Sequence, residues 1–153
     1  MRNYMYNISV LAFLKDVNTE RALRLFCERF DSAEHALWEK GMRLLHQYHA
    51  ARHTGVTLAV SSALQHMDDR HDIYVVDLRE YGEEELDRLY IAKTCELILL
   101  TDGATETAAR FAALQRRTPR LLCARLPLVS YELECLMQAI LSRLEQNGGD
   151  REA

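Results

Sequence analysis

The chain has 153 residues, of which 48% are hydrophobic and 27% charged, and its formal net charge is −4. This length and composition favour one ordinary globular domain with a real core, and the small negative charge excludes a global field that would draw the chain to nucleic acid or anionic lipid. No apolar run reaches membrane-spanning length and the first residues lack a signal-peptide pattern, so we expect a cytoplasmic domain that does not insert into a membrane.

The cysteines and the C-terminal segment set two further expectations. Cys27, Cys95, Cys123 and Cys135 are widely spaced and form no CxxC pair, which favours buried free thiols in a reducing compartment. Residues 146–153 are polar and contain glycine, so we expect a disordered tail behind a domain of residues 1–145. The alternative is that a longer parent protein continues from this tail.

The first third of the chain predicts one strand and two helices. Tyr6–Leu14 is β-rich and nearly all apolar toward its end, as in a parallel strand buried on both faces. Asn18 or Thr19 is the predicted cap of a helix that runs to about Phe30. A second amphipathic helix is predicted to run to about residue 52, and it is extra relative to a simple alternation of strands and helices.

The rest of the chain alternates between strand and helix patterns. Further strands are predicted at Val56–Ser61, His71–Leu78, Glu96–Thr101 and Arg120–Arg125. Between and after them we expect a short helix or turn at Ser62–Arg70, helices at Glu83–Lys93 and Thr105–Arg116, and a last helix from a Ser130 cap to Leu144. Short right-handed crossovers then predict a five-stranded parallel sheet in the order 2-1-3-4-5: a flavodoxin-like three-layer α/β/α fold with one extra helix after the first helix.

Several predicted strands end in residues that can carry chemistry. Asp77 and Thr101 end two neighbouring strands, Pro127 follows the last strand, and Asp16 follows the first. The carboxyl ends of parallel strands meet at one edge of a sheet, so Asp16, Asp77, Thr101 and the adjacent Asp102 are expected to converge there. Ordinary turn chemistry is the alternative explanation of Thr101 and Asp102.

This order of strand ends resembles the receiver domain of bacterial response regulators. The resemblance implies a phosphoacceptor at Asp77 and a hydroxyl that senses the phosphoryl group at Thr101. The proline after the fifth strand and the Glu132-Leu133 pair that opens the last helix match the same family. The resemblance covers roughly half of the chain.

The departures from the receiver pattern bear on its chemistry. Leu14 and Lys15 lie where the family has two adjacent acids that hold Mg²⁺, and Asp16 supplies at most one of them. Leu126 replaces the lysine that pairs with the phosphoryl group, and Cys123 replaces the aromatic switch residue. The resemblance therefore implies a degenerate receiver that has lost phosphotransfer and serves protein contacts, with no catalytic residue, metal or other cofactor.

Two alternative functions remain open at this point. Asp77 could be a working phosphoacceptor, or the remnant of a nucleotide site, because the strands around it also resemble those of ParA/MinD-type ATPases. The stretch Leu11–Asn18 has no glycine, however, and cannot form the P-loop of that family. The other alternative is a sensor that binds a small ligand at the carboxyl edge of the sheet.

Two groups of residues are candidates for an interaction surface. The extra helix carries Trp38 and Met42 at the edge of its apolar face, and His46 and His49 beyond them. With His53 these histidines have spacing that could meet zinc, but no acid or cysteine clearly completes a site, and a polar flank is our interpretation.

The second group is basic and consists of Arg116, Arg117 and Arg125, with Arg120 nearby. The resemblance implies that this side could carry charged dimer contacts. The expected partner is thus another protein or a second copy of the chain in a homodimer. Nucleic acid is not expected, because aromatic and basic residues do not interleave.

Overall fold

The computed structural model describes residues 6–30, 54–118, 120–129, 132–133, 135–136, 138–140 and 142–143. The strands are β1 (Tyr6–Phe13), β2 (Thr54–Ser61), β3 (Ile73–Asp77), β4 (Glu96–Thr101) and β5 (Leu121–Arg125). The helices described from end to end are α1 (Val17–Phe30), α2 (Glu83–Asp87) and α3 (Thr105–Gln115). Residues 135–143 are helical wherever they are described, and we call them the C-terminal helical segment. The predicted extra helix, the Ser130 cap and the predicted tail lie outside the described residues.

All strand pairs are parallel, and the five strands form one sheet in the order β2-β1-β3-β4-β5. The predicted flavodoxin-like α/β architecture is confirmed. From β1 the chain moves to β2 at one edge of the sheet, whereas from β3 it moves through β4 to β5 at the other edge. The position between β1 and β3 is therefore the topological switch point of the sheet.

Both faces of the sheet are covered. On one face, Ile8, Val10 and Ala12 of β1 pack with α1 and the C-terminal helical segment. On the other face, Leu11 and Phe13 of the same strand pack with residues of α2 and α3. Successive side chains of a strand point to opposite faces, so a strand buried on both sides must be apolar at nearly every position. This requirement explains the continuous apolar runs in β1, β3 and β4.

The helix α2 is shorter than predicted. It ends at Asp87, whereas the amphipathic pattern predicted a helix to Lys93. The helix ends because the backbone of residues 90–92 pairs with that of Met67. The Met67 N–H donates to the Tyr90 carbonyl at 2.8 Å, and the Met67 carbonyl accepts the Ala92 N–H at 2.7 Å. Tyr90, which the predicted helix would have included, lies outside it and is 60% exposed.

Two local predictions also need correction. Residues 62–70 form bends and an isolated bridge at Met67, so the turn was the right alternative and the short helix was not. The cap of α1 is Asp16, because α1 begins at Val17 and Asn18 and Thr19 lie inside its first turn. Among the residues that the structure describes, no helix is both long enough and apolar enough to cross a membrane.

Candidate functional site

Asp16 lies between β1 and α1 and caps the helix. Its Oδ2 accepts the N–H of Thr19 at 3.0 Å and the Thr19 hydroxyl at 2.5 Å. An N-cap carboxylate satisfies a backbone donor that has no partner within the helix. These two bonds, with a smaller contribution from the Arg79 charge, lower the pKa of Asp16. Asp16 is therefore ionised at neutral pH and bound to the first turn of α1.

Asp77 ends β3, and its side chain is completely buried. Arg79 turns back onto it and binds both carboxylate oxygens: Nε donates to Oδ1 at 3.0 Å and Nη2 to Oδ2 at 2.8 Å. The backbone N–H of Arg79 also donates to Oδ1 at 3.0 Å. A planar guanidinium matches a carboxylate in this two-point geometry, and a buried carboxylate requires such a partner.

The chain turns sharply after β3, and this turn brings Arg79 back to the strand end. The Glu80 N–H donates to the Asp77 carbonyl at 3.1 Å, which closes the turn. The hydrogen bonds to Asp77, the largest contribution, raise the pKa of Arg79. The same guanidinium reaches Asp16, with 3.9 Å between Nη2 and Oδ2. The Arg79 guanidinium therefore lies between Asp16, which follows β1, and Asp77, which ends β3.

Thr101 and Asp102 lie at the end of β4 and organise the turn into α3. The Thr101 hydroxyl accepts the Gly103 N–H at 3.2 Å. Asp102 Oδ1 accepts the Ala104 N–H at 3.0 Å and the Thr107 hydroxyl at 2.9 Å. These bonds lower the pKa of Asp102, and the Arg79 charge adds to the effect. This arrangement is the turn chemistry that serine, threonine and aspartate side chains commonly provide.

A cavity of about 310 Å³ opens at this edge of the sheet. It collects residues from the loops after β1, β3, β4 and β5. Its lining consists of Asp16, Asn18, Thr19, Ala22, Arg79, Asp102, Leu126, Pro127 and Leu128. The site therefore combines the half-buried Asp16 carboxylate, the exposed Asp102 carboxylate and one guanidinium with an apolar wall.

Among the described residues after β5, none contributes a cation to the cavity lining. Leu126 packs against the core on the α1 face and lines the cavity. Arg125 is exposed, and its backbone N–H donates to Glu132 Oε2 at 2.9 Å. Cys123 is also exposed. Leu126 and Arg125 thus have different surroundings although they are neighbours in the chain.

The residues predicted for an interaction surface have different outcomes. Trp38, Met42, His46 and His49 lie outside the described residues. Arg116 is exposed, but Arg117 donates to the backbone carbonyls of Leu86 and Leu89. Arg120 pairs with Glu96 at 3.3 Å. Arg117 and Arg120 thus have partners within the chain.

The cysteines are all free thiols. The expected burial is found for Cys27 and Cys95, while Cys135 is half-buried and Cys123 exposed. Burial raises the pKa of Cys27 to about 12 and also raises that of Cys95. Within the described part of the chain, no three histidine, cysteine or acidic residues are grouped so that they could hold a metal ion.

The sequence interpretation missed Arg79. The only cation considered there was the lysine that the receiver resemblance implies after β5, a position that holds Leu126. The available signal was the Asp-x-Arg spacing at Asp77, because a residue two positions after a strand end can fold back in a tight turn. This signal is weak alone, since the direction of the turn depends on the neighbouring strands.

No protein-family model, no curated protein and no solved structure matches this chain.

Proposed function

We propose that this chain is a non-catalytic, receiver-like regulatory or scaffolding module that acts through protein–protein contacts in the bacterial cytoplasm. The observation that supports it best is the pair formed by Asp77 and Arg79. In a working receiver, the carboxylate at this position must be reachable by a phosphodonor. Here the Asp77 side chain is 0% exposed and both of its oxygens accept hydrogen bonds from Arg79.

The position of Arg79 argues against phosphotransfer. Transfer of a phosphoryl group requires cations that neutralise the charge developing on its oxygens. Arg79 is committed to the carboxylate that would act as nucleophile, so it holds that group in place and shields it. The residue that follows β5 is the aliphatic Leu126, which provides no charge. The carboxyl edge of the sheet thus has the topology that phosphotransfer would use, but the charge of Asp77 is neutralised by Arg79 of the same chain.

Arg79 also offers a physical reason for the absence of the family's acid pair. The guanidinium lies between Asp16 and Asp77, at 3.9 Å and 2.8 Å, where a receiver would be expected to hold a divalent cation. A covalently attached cation does not dissociate, so we infer that it keeps this edge of the sheet in one state. A module of this kind would present a constant surface to its partner.

Phosphorylation is tested by incubating the purified chain with Mg²⁺ and acetyl phosphate and measuring its intact mass. We expect no addition of a phosphoryl group to the wild type or to Asp77→Asn, which serves as the matched control. A phosphorylated wild type beside an unmodified Asp77→Asn variant would show that Asp77 is a working phosphoacceptor and would refute the proposal.

The protein-contact part of the proposal is tested separately by light scattering. We expect a homodimer whose mass falls toward that of a monomer in Trp38→Glu or in the double variant Arg116→Glu/Arg125→Glu. Arg117 is left intact because it contacts backbone carbonyls within the chain. If the wild type is a monomer at all concentrations and neither variant changes the mass, self-association is excluded as the mode of action.

A further inference from the structure

The 310 Å³ cavity at the carboxyl edge lies at the topological switch point of the sheet. Its walls come from the first turn of α1 on one side and from Leu126–Leu128 after β5 on the other. Open parallel α/β sheets bind ligands in the crevice at this position, because the helices on the two faces diverge there. The geometry of the cavity is thus that of a ligand site, whatever the state of Asp77.

The charges in the cavity favour a cation. Asp77 takes both Nε and Nη2 of Arg79, so this guanidinium is largely neutralised. Asp16 approaches Arg79 only at 3.9 Å, and Asp102 has no ion pair among the described residues. Asp16 accepts its hydrogen bonds on Oδ2 and Asp102 on Oδ1. The second oxygens, Asp16 Oδ1 and Asp102 Oδ2, accept no side-chain hydrogen bond in the described part of the chain.

The other wall of the cavity is apolar. Ala22, Leu126, Pro127 and Leu128 provide it, and Pro127 has no backbone N–H to offer. Small-ligand sites typically combine an apolar wall with a few polar groups that fix orientation. A free carboxylate or phosphate would be repelled by Asp16 and Asp102. A metal ion would make no favourable contact with the apolar wall.

We propose that this crevice binds a small organic cation: a primary ammonium group on a short alkyl or aryl body. The ammonium group donates hydrogen bonds to Asp16 Oδ1 and Asp102 Oδ2, and the apolar body packs against Ala22 and Leu126–Leu128. This inference does not depend on the proposed protein contacts. It assigns the carboxyl edge a ligand that needs no phosphotransfer.

The test is a titration followed by the backbone amide signals of the ¹⁵N-labelled full chain at neutral pH. The probe is benzylammonium chloride, and benzyl alcohol and sodium benzoate are the neutral and anionic analogues of the same shape. We expect a dissociation constant of about 1 mM or tighter for the cation, with the largest shifts in residues 16–22, 102–104 and 126–128. Benzyl alcohol and benzoate should bind at least about fivefold more weakly.

Two variants separate the two halves of the site. Asp102→Asn keeps an oxygen that can accept the Ala104 N–H but removes the charge, and should weaken benzylammonium at least about fivefold. Ala22→Leu keeps good helix propensity and fills the cavity, so it should weaken all three probes. The amide spectra report whether each variant remains folded.

Three outcomes would overturn the inference. The first is equal affinity for the cation, the alcohol and the anion. The second is an unchanged benzylammonium affinity in the folded Asp102→Asn variant. The third is that Mg²⁺ alone shifts the same amides more strongly than benzylammonium does, which would assign the edge to a metal ion. None of these outcomes bears on whether Asp77 accepts a phosphoryl group, so failure here leaves the proposed function standing.

Discussion

Replacement of Arg79 by methionine should destabilise the fold more than an ordinary surface substitution. Methionine keeps much of the apolar stem but removes every guanidinium donor, and leaves Asp77 buried with only the backbone N–H of residue 79 as a partner. Removing one partner of a buried ion pair costs about 3–5 kcal/mol because an uncompensated charge stays in the interior. The Arg79 side chain is 32% exposed, so water can partly reach the site and we expect about 3 kcal/mol.

Urea unfolding at pH 7, followed by circular dichroism, measures this loss. With a slope of about 2 kcal/mol/M, a loss of about 3 kcal/mol lowers the urea midpoint by about 1.5 M. The double variant Asp77→Asn/Arg79→Met is the matched control. It removes the buried charge together with its partner, so it should recover most of the lost stability.

The role given to Arg79 would be refuted by either of two results. One is a loss below about 0.5 kcal/mol in Arg79→Met. The other is a double variant that is as unstable as Arg79→Met, because removal of the buried charge would then recover nothing.

Two other predictions concern neighbouring parts of the fold. Arg117→Met removes the donors to the carbonyls of Leu86 and Leu89, where the chain leaves α2, and should lower the free energy of unfolding in urea by about 1–3 kcal/mol. The control is Arg116→Met at the exposed neighbouring residue, which should change it by less than about 0.5 kcal/mol. Equal losses in the two variants would contradict the role of Arg117. Exposed Cys123 should react with a maleimide before buried Cys27, whose pKa is raised to about 12. Peptide mapping of the labelled chain measures this, with Cys123→Ser as the control. Preferential labelling of Cys27 in the folded chain would contradict the prediction.

The sheet was predictable from the sequence because its strands are buried on both faces. A strand such as β4 must be apolar at nearly every position, and its pattern ends where the chain reaches a turn, so Glu96–Thr101 was predicted with its observed bounds. The helix α2 was less predictable. Its amphipathic pattern continues past Asp87, and the Met67 backbone that ends it comes from a distant part of the sequence.

The candidate site was only partly predictable for a similar reason. The strand order alone brings Asp16, Asp77 and Asp102 to one edge, and the sequence interpretation placed them there. The partner of Asp77 depends on which way the turn after β3 folds, and no periodicity encodes this direction. The cap of α1 was missed because aspartate, asparagine and threonine occur together at residues 16–19 and all favour caps.

The most direct test of the central claim, that Arg79 neutralises and shields Asp77, is the intact mass of the wild type after incubation with acetyl phosphate and Mg²⁺. We predict a mass identical to that of the untreated chain. The claim would be contradicted by the gain of one phosphoryl group that is absent from Asp77→Asn under the same conditions.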